Sequence, residues 1–360
     1  MPVTSAIKRR SEEHPFIVNN NKILKQEHRH YPNSPPPPPP RTPQPSTSVS
    51  SPTPSPTPPS ITESPWDTIT ICGKLYYQVH LIKTGGSSRV YKVLCKETGS
   101  IFAMKDIQMG RIDASKFDSY VEEVTLLQQL QGNGCVIRLH DFEMDKRTLK
   151  LRMLFEYGDT DLASYIHKNK LDVYDIRHFW RKMVEATRLL HARKIVHSDL
   201  KPGNFVIVRG KVKIIDFGIA KAISDGTVNI KRQTINGTPN YIAPEALSDL
   251  FECNQHRFMR EEDEDEDDEF KRELYKVGPP ADIWALGIIL YQMVYGNTPF
   301  HNHPNKDNAI RNEPVNFPPK SRNGEHIPPE LENAMEWCLK KEAKDRPTAE
   351  QLLRHQFLRS

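Results

Sequence analysis

The chain has 360 residues, an apolar content of 37% and a formal net charge of +4. That length holds one large domain or two ordinary ones, and so small a charge gives no whole-protein argument for a nucleic-acid or membrane partner. The five cysteines are scattered, odd in number and without a C-x-x-C pair. They argue against a disulfide framework or a zinc site and for reduced thiols in cytosol or nucleus. No apolar run approaches a membrane span, and the N-terminus lacks a signal-peptide core.

In chain order, residues 1–65 read as disordered. Six consecutive prolines occupy 35–40, and 41–65 is almost entirely Ser, Thr and Pro. Such a composition cannot bury enough apolar surface to offset chain ordering, and it favours extended polyproline II. Ser34, Thr42, Ser51, Thr53, Ser55, Thr57 and Ser64 each precede a proline. These are positions for proline-directed kinases, and the proline run suits the aromatic-lined grooves of SH3- or WW-type partners. A solvated linker is the alternative reading.

Order is expected from 66–71. Alternation at 76–82 and 89–94, around Thr84-Gly85-Gly86-Ser87-Ser88, and again at 101–107 predicts three strands. From Ser115 the period is helical through Phe117, Tyr120, Val121, Val124, Leu127 and Leu130, with Ser115 and Asp118 as a capping pair. Residues 136–142 and 149–155 return to strand character, so five strands and one helix precede Glu156. Beyond Tyr157-Gly158 the chain becomes helical. An apolar stripe runs through 176–190, and 281–295 is apolar almost all round, as in a helix buried on every side. Shorter helices are expected at 331–339 and 349–356, beside a loop-rich 304–329. Nine consecutive acids at 261–269 repel one another and read as an exposed loop in an insertion over about 250–278. An electrostatic dock for a basic partner is the alternative there. No internal repeat is present, and no 34-residue helical period fits.

The stretch 195–218, IVHSDLKPGNFVIVRGKVKIIDFG, concentrates the chemistry. Two apolar runs separated by Arg209-Gly210-Lys211 predict a short hairpin, with glycine able to take the positive φ of the turn. A hairpin folds the chain back, so Asp216 faces the same point as Asn204. A carboxylate and a carboxamide converging there make a hard-oxygen site suited to Mg²⁺ with bound phosphate. Asp199 lies five residues before Asn204, close enough to orient a nucleophile beside that metal.

The pattern H-x-D-x-K-x-x-N at 197–204, followed by Asp216-Phe217-Gly218, resembles the catalytic loop and metal-binding motif of protein kinases. The resemblance covers roughly 76–357. It implies an α+β, bilobal fold within 66–360, with a small five-stranded β lobe and one main helix over about 72–156. A larger helical lobe follows over about 157–357. ATP and Mg²⁺ are the implied cofactors, and proteins the implied substrates. Asp199 would orient the substrate hydroxyl and accept its proton, Lys201 would neutralise the transferring phosphoryl group, and Asn204 and Asp216 would hold the metal. Lys105 would hold the α- and β-phosphates, with Glu123 as its partner and Glu122 pointing elsewhere. The nucleotide cover would comprise Ile82, Lys83, Thr84, Gly85, Gly86, Ser87, Ser88 and Val90, together with Ala103. Backbone groups of Glu156, Tyr157 and Gly158 would hold the adenine edge, with Phe155 behind it and Asp161 at the ribose. Glu245 of Ala243-Pro244-Glu245 would pair with Arg346, and Asp282 would cap the catalytic-loop backbone. Lys83 and Ser88 stand where the pattern has its first and third glycines. That substitution leaves a kinase-fold scaffold without catalysis as a second reading.

Three features narrow the resemblance. The catalytic loop reads His-Ser-Asp in place of His-Arg-Asp, and the cover reads Gly-Gly-Ser-Ser-Arg-Val-Tyr. The activation segment ends Gly237-Thr238-Pro239-Asn240-Tyr241-Ile242-Ala243-Pro244-Glu245. Together these are similar to the TTK, or monopolar spindle, family of dual-specificity kinases. That resemblance implies autophosphorylation at Thr227, Thr234 and Thr238, and spindle-checkpoint signalling at kinetochores by a protein of nucleus or cytoplasm. An active kinase with another cell-cycle or germline role is the alternative. An arginine in the place of Ser198 would pair with a phosphate on the activation segment. Ser198 cannot, and Lys221, Lys231 and Arg232 are the candidate substitutes.

Overall fold

Cys72 and Gly73 both take positive φ, 48° and 77°, in a two-residue turn. The turn folds β1 (Thr68–Ile71) back onto β2 (Lys74–Thr84), with Ile71 opposite Lys74. This is the geometry that matches the natural twist of paired strands. The structure is a computed structural model that describes residues 66–85, 88–108, 114–145, 150–217, 221–222, 230–232, 239–247 and 275–359. The proline-rich N-terminus, the acidic run, Gly86, Ser87, Thr227, Thr234 and Thr238 lie outside the described residues.

The sheet has six strands, one more than the five expected, because the hairpin at Cys72-Gly73 adds β1. Its order is β1-β2-β3-β4-β6-β5, with β3 at Ser88–Cys95, β4 at Ile101–Gln108, β5 at Leu139–Asp145 and β6 at Lys150–Glu156. All pairs are antiparallel. The outer face carries a small core of Ile71, Tyr76, Val93, Cys95, Met104 and Leu154. Curling of the sheet brings the β1–β2 turn across to the far edge, where Cys72 Sγ lies 3.2 Å from Asp141 Oδ1 and 3.3 Å from Phe142 O. The inner face buries Ile107, Leu151 and Met153 with α1 (Ala114–Gln129). Ser115 lies inside this helix and is not its cap. Val121, placed on the apolar stripe by spacing, is 36% exposed, whereas Leu126 is buried. At about 100° per residue, position 121 sits a full step off the line through 120, 124 and 127.

The rest of the domain is built on two long helices. Along α3 (Val173–Ala192) the buried residues Ile176, Phe179, Trp180, Met183, Val184, Thr187 and Leu190 form one stripe. Every residue of α4 (Pro279–Tyr295) from Ala281 to Tyr291 is buried. Trp180 Nε1 donates to Leu286 O at 3.1 Å and locks the two helices together. Prolines at the start and Gly296 at φ 87° at the end bound α4 as helix termini favour. Other helices are α2 (Leu162–Lys168), α5 (Lys306–Asn312), α6 (Pro329–Cys338), α7 (Ala349–Leu353) and α8 (Gln356–Arg359). Helix α5 lies in the region expected to be loop-rich. Its sequence KDNAIRN buries only Ala309 and Ile310, too few apolar positions to show a period. The single helix expected at 349–356 is two, the first opened by a Thr348–Gln351 capping box.

Arg346 ties these elements together. Its buried guanidinium donates to Glu245 at 2.8 and 2.7 Å, and to the carbonyls of Pro280, Lys340 and Lys341. All five N–H groups are thereby used. Removing one partner of such a pair leaves the other charge uncompensated. Arg346→Ala should lose about 3 kcal/mol in urea unfolding, at the low end for a buried pair because Glu245 keeps some solvent contact; a loss within error of zero would contradict this.

Beside it, Lys341 Nζ donates to Ala309 O at 3.2 Å and Ile310 O at 2.6 Å and lies over the Trp284 and Phe300 rings. Burial, opposed by Glu313 and reinforced by Arg346, pulls its pKa down to about 8. Above that pH the unfolded chain still binds the proton that the folded chain has released, so this group adds stability as pH rises. The stability advantage of wild type over Lys341→Met should therefore grow from pH 8 to pH 10. An advantage independent of pH in that window would count against the low pKa.

Candidate active site

The sheet register aims Lys105 at the cleft. Val90 and Met153 stand opposite it on the neighbouring strands, so all three project from one face. Lys105 Nζ lies 2.7 Å from Glu123 Oε1 on α1 and 3.5 Å from Asp216 Oδ1. Glu123 is 2% exposed, while its neighbour Glu122 faces solvent. Burial works against the charge on Lys105, but Glu123 and then Asp216 outweigh it and push the pKa up to about 12. The side chain is therefore a permanent cation at neutral pH.

Below the sheet, after the short strand β7 (Thr160–Asp161), the stretch 195–217 forms β8 (Ile195–Val196), a 3₁₀ turn at Pro202–Asn204, β9 (Phe205–Val208) and β10 (Lys211–Ile214). The hairpin turn is Arg209-Gly210 with φ 50° and 75°, and Lys211 already pairs with Val208. The return strand brings Ile215 N to Asn204 O at 2.8 Å, so Asp216 leaves the hairpin beside Asn204. Asn204 Nδ2 donates to Asp199 O at 2.8 Å and to Asp199 Oδ2 at 3.1 Å. Lys201 Nζ donates to the same Oδ2 at 2.6 Å. With its amide nitrogen committed to Asp199, Asn204 has its amide oxygen available as an acceptor. Phe217 is buried with its ring centroid 5.6 Å from that of His197.

Ser198 and Asp216 adopt left-handed backbones, with φ 64° and 65°. For a non-glycine residue this costs roughly 1–2 kcal/mol. At Ser198 the compensation is visible. Asp282, fully buried on α4, accepts from Ser198 N at 2.8 Å, His197 N at 2.9 Å and His191 Nε2 at 2.9 Å. Burial alone would raise the pKa of this carboxyl, but the His191 bond and the charges of His191 and His197 hold it below the usual range. His197 is itself buried and shifted down by that burial.

At the edge of the cleft, Glu156 Oε1 accepts from Arg138 N at 2.8 Å and pairs with Lys213 Nζ. Its side chain thus ties the link between the lobes to β10. Lys92 Nζ lies 5.0 Å from the Tyr157 ring centroid. Gly158 has no room for a side chain, since a Cβ would meet Val206 Cγ2 at 2.2 Å. Asp161 is the N-cap of α2, its oxygens accepting from Ser164 N at 2.8 Å and Ser164 Oγ at 2.7 Å. That capping role is what the structure gives for a residue assigned to ribose by resemblance. In the cover, Gly85 N donates to Ser88 O at 2.7 Å, and Ile82 sits at a register shift of β2. Ala103 stands opposite Phe155 on the cleft face. Lys221, in β11 (Lys221–Ala222), pairs with Val196 just ahead of Ser198, and Lys231 and Arg232 lie in β12 (Ile230–Arg232).

Sequence reasoning missed His191, Lys92 and Lys213. Each acts across elements distant in sequence, so no local spacing marks it. For a metal, the described residues contain no group of three or more His, Cys, Asp or Glu able to hold one. Asn204 and Asp216 offer two oxygen-bearing side chains, a donor set that fits Mg²⁺ completed by phosphate oxygens and water.

A cation held between two carboxylates, facing an Asp-Lys-Asn loop, meets the positional needs of phosphoryl transfer. The protein kinase domain model matches residues 76–358, and the chain belongs to the protein kinase family. Membership implies ATP, a divalent metal ion and protein substrates. Within the family the chain is similar to Serine/threonine-protein kinase MPS1 of Saccharomyces cerevisiae, 38% identical over 81% of this chain and 37% of that protein. It is also 36% identical to Serine/threonine-protein kinase mph1 of Schizosaccharomyces pombe, over 81% of this chain and 44% of the relative. Identity to Dual specificity protein kinase TTK of Mus musculus is 35%, over 81% of this chain and 32% of the relative. The chain thus spans less than half the length of each. No helix among the described residues is long and apolar enough to cross a membrane.

Replacing Asp282 by Asn should melt the catalytic loop first, because an amide NH₂ would then face one of three N–H donors. Hydrogen exchange at Ser198 and Asp199 should accelerate by at least tenfold, and unchanged protection would show that the carboxylate is dispensable.

Proposed function

We propose that this chain is a serine/threonine protein kinase of the dual-specificity type that transfers the γ-phosphate of ATP to Ser and Thr of proteins, with Tyr as a further candidate acceptor and Mg²⁺ as the metal. The observation that carries the reading is the Lys105–Glu123 ion pair, with Asp216 3.5 Å from the same lysine. It links sheet, helix and metal-motif loop as an ordered nucleotide site requires. When bound, the metal supplies charge neutralisation on the phosphates, and Asn204 and Asp216 are the residues to hold it. Asp199, fixed by Lys201 and Asn204, orients the incoming hydroxyl and takes its proton. Lys201, 2.6 Å from Asp199 Oδ2, is placed to move to the phosphoryl group once substrate separates the two. Lys105 holds the α- and β-phosphates, the cover residues and Ala103 enclose the nucleotide, and Glu156 to Gly158 present backbone to its base. Glu245, Arg346 and Asp282 keep the large lobe in shape around these groups.

Similarity to the MPS1 and TTK kinases supports a role in mitotic spindle signalling, with the protein at kinetochores or the spindle. It also supports autophosphorylation at Thr227, Thr234 and Thr238. The proline-rich N-terminus would then serve SH3-type, WW-type or proline-directed kinase partners. The scaffold reading rests on Lys83 and Ser88 alone, and the charged set of Lys105, Glu123, Asp199 and Asp216 weighs against it.

The test is phosphate transfer from radiolabelled ATP to the chain itself and to a generic protein substrate, with phosphosite mapping. Asp199→Ala should keep its circular dichroism and lose transfer by about a hundred- to ten-thousand-fold, the range of a positioned general base. Transfer at the wild-type rate by that variant would sink the assignment.

A further inference from the structure

Lys83 occupies the place of a glycine in the kinase cover, and the strand register decides where its side chain goes. Lys83 stands opposite Val90 on β3, and Val90 stands opposite Lys105 on β4. Directly opposed residues in antiparallel strands project from the same face. The neighbours settle which face that is. Tyr91, Val93 and Met104 join the outer core with Ile71, whereas Lys92 reaches the Tyr157 ring on the cleft side, out of phase with both. Lys83 therefore shares a row with Lys105, about 10 Å away across two strand spacings. The β-bulge makes this possible. Leu81 pairs with Tyr91 but Lys83 pairs with Val90, so Ile82 is the extra residue, and without it position 82 would face Val90.

The two lysines differ in what surrounds them. Lys105 is matched by Glu123 and Asp216. Lys83 is exposed and forms no ion pair among the described residues. A nucleoside polyphosphate under the cover brings several negative charges, and Lys105, the lysine already in this row, is largely offset by its own carboxylates. We propose that Lys83 is a further phosphate-binding cation of this cleft, beyond Lys105 and Lys201, acting on the nucleotide's polyphosphate from above, where glycine would present only backbone N–H groups. This rests on the kinase reading, and it makes the departure from glycine a gain in phosphate affinity.

The experiment is calorimetric titration of the full chain with adenosine and with ATP plus Mg²⁺, in wild type, Lys83→Met, Lys83→Gly and Lys83→Arg, each checked by thermal melting. Lys83→Met and Lys83→Gly should bind ATP about tenfold more weakly, the scale of one hydrogen bond to a charged group. Both should bind adenosine as wild type does, and Lys83→Arg should keep the ATP affinity. The difference should narrow as salt is raised. ATP binding within twofold of wild type by the glycine or methionine variant overturns the proposal, and so does an equal loss for adenosine. Wild-type protein that binds adenosine but gains nothing from the phosphates overturns it too. A wild type that binds neither ligand overturns the kinase reading itself, which separates the two failures.

Discussion

One buried carboxylate holds the catalytic stretch in a shape it would not keep alone. Asp282 sits at the start of α4 with no solvent contact and takes three hydrogen bonds, two from the backbone of His197 and Ser198 and one from His191. A charge buried without partners would be strongly unfavourable, so the three donors and the carboxylate stabilise one another or not at all. The left-handed turn at Ser198 depends on them. Through that turn, so does the position of Asp199 and of the Lys201 and Asn204 side chains that converge on it.

A second constraint closes the site from above. Lys105 gathers Glu123 from α1 and Asp216 from the end of the hairpin, so a single cation joins three segments far apart in sequence. Because each carboxylate holds the lysine charged, the lysine in turn holds two acids close together in a partly buried place. The arrangement is cooperative in the sense that loss of any one member exposes the others to desolvation without compensation. Ser198 adds a difference in control. Where a cationic side chain would reach toward the activation segment, this chain has a short hydroxyl, and its backbone is engaged with Asp282.

Much of the fold was legible because its signals are local. The Arg209-Gly210 hairpin, the stripe along α3 and the all-round apolar run of α4 follow from turn chemistry and periodicity within a few residues. The missed elements are those whose local signals are weak or shared. The strand at Thr68–Ile71 depends on a Cys-Gly turn, an uncommon hairpin pair, and α5 has only two buried residues to mark it. Val121 was misplaced because neighbouring apolar residues on a helix cannot all face inward. At the site, Lys105, Glu123, Asp199, Asn204 and Asp216 could be named from spacing, whereas His191 and Lys213 could not, since their partners lie on other elements.

The sequence by itself determined which chemistry is present: the residue types at 197–204 and 216, the lysine on a strand, the acid on the following helix. Motif spacing suffices for that because the loop and hairpin that carry these residues are short. Tertiary structure decided orientation. It placed Lys83 rather than Ile82 opposite Val90 through one extra residue in β2. It also committed Asp161 to a helix cap and set the backbone of Ser198 by a carboxylate 84 residues away. Side-chain direction and backbone strain depend on what packs against a segment, and that is a property of the assembled fold.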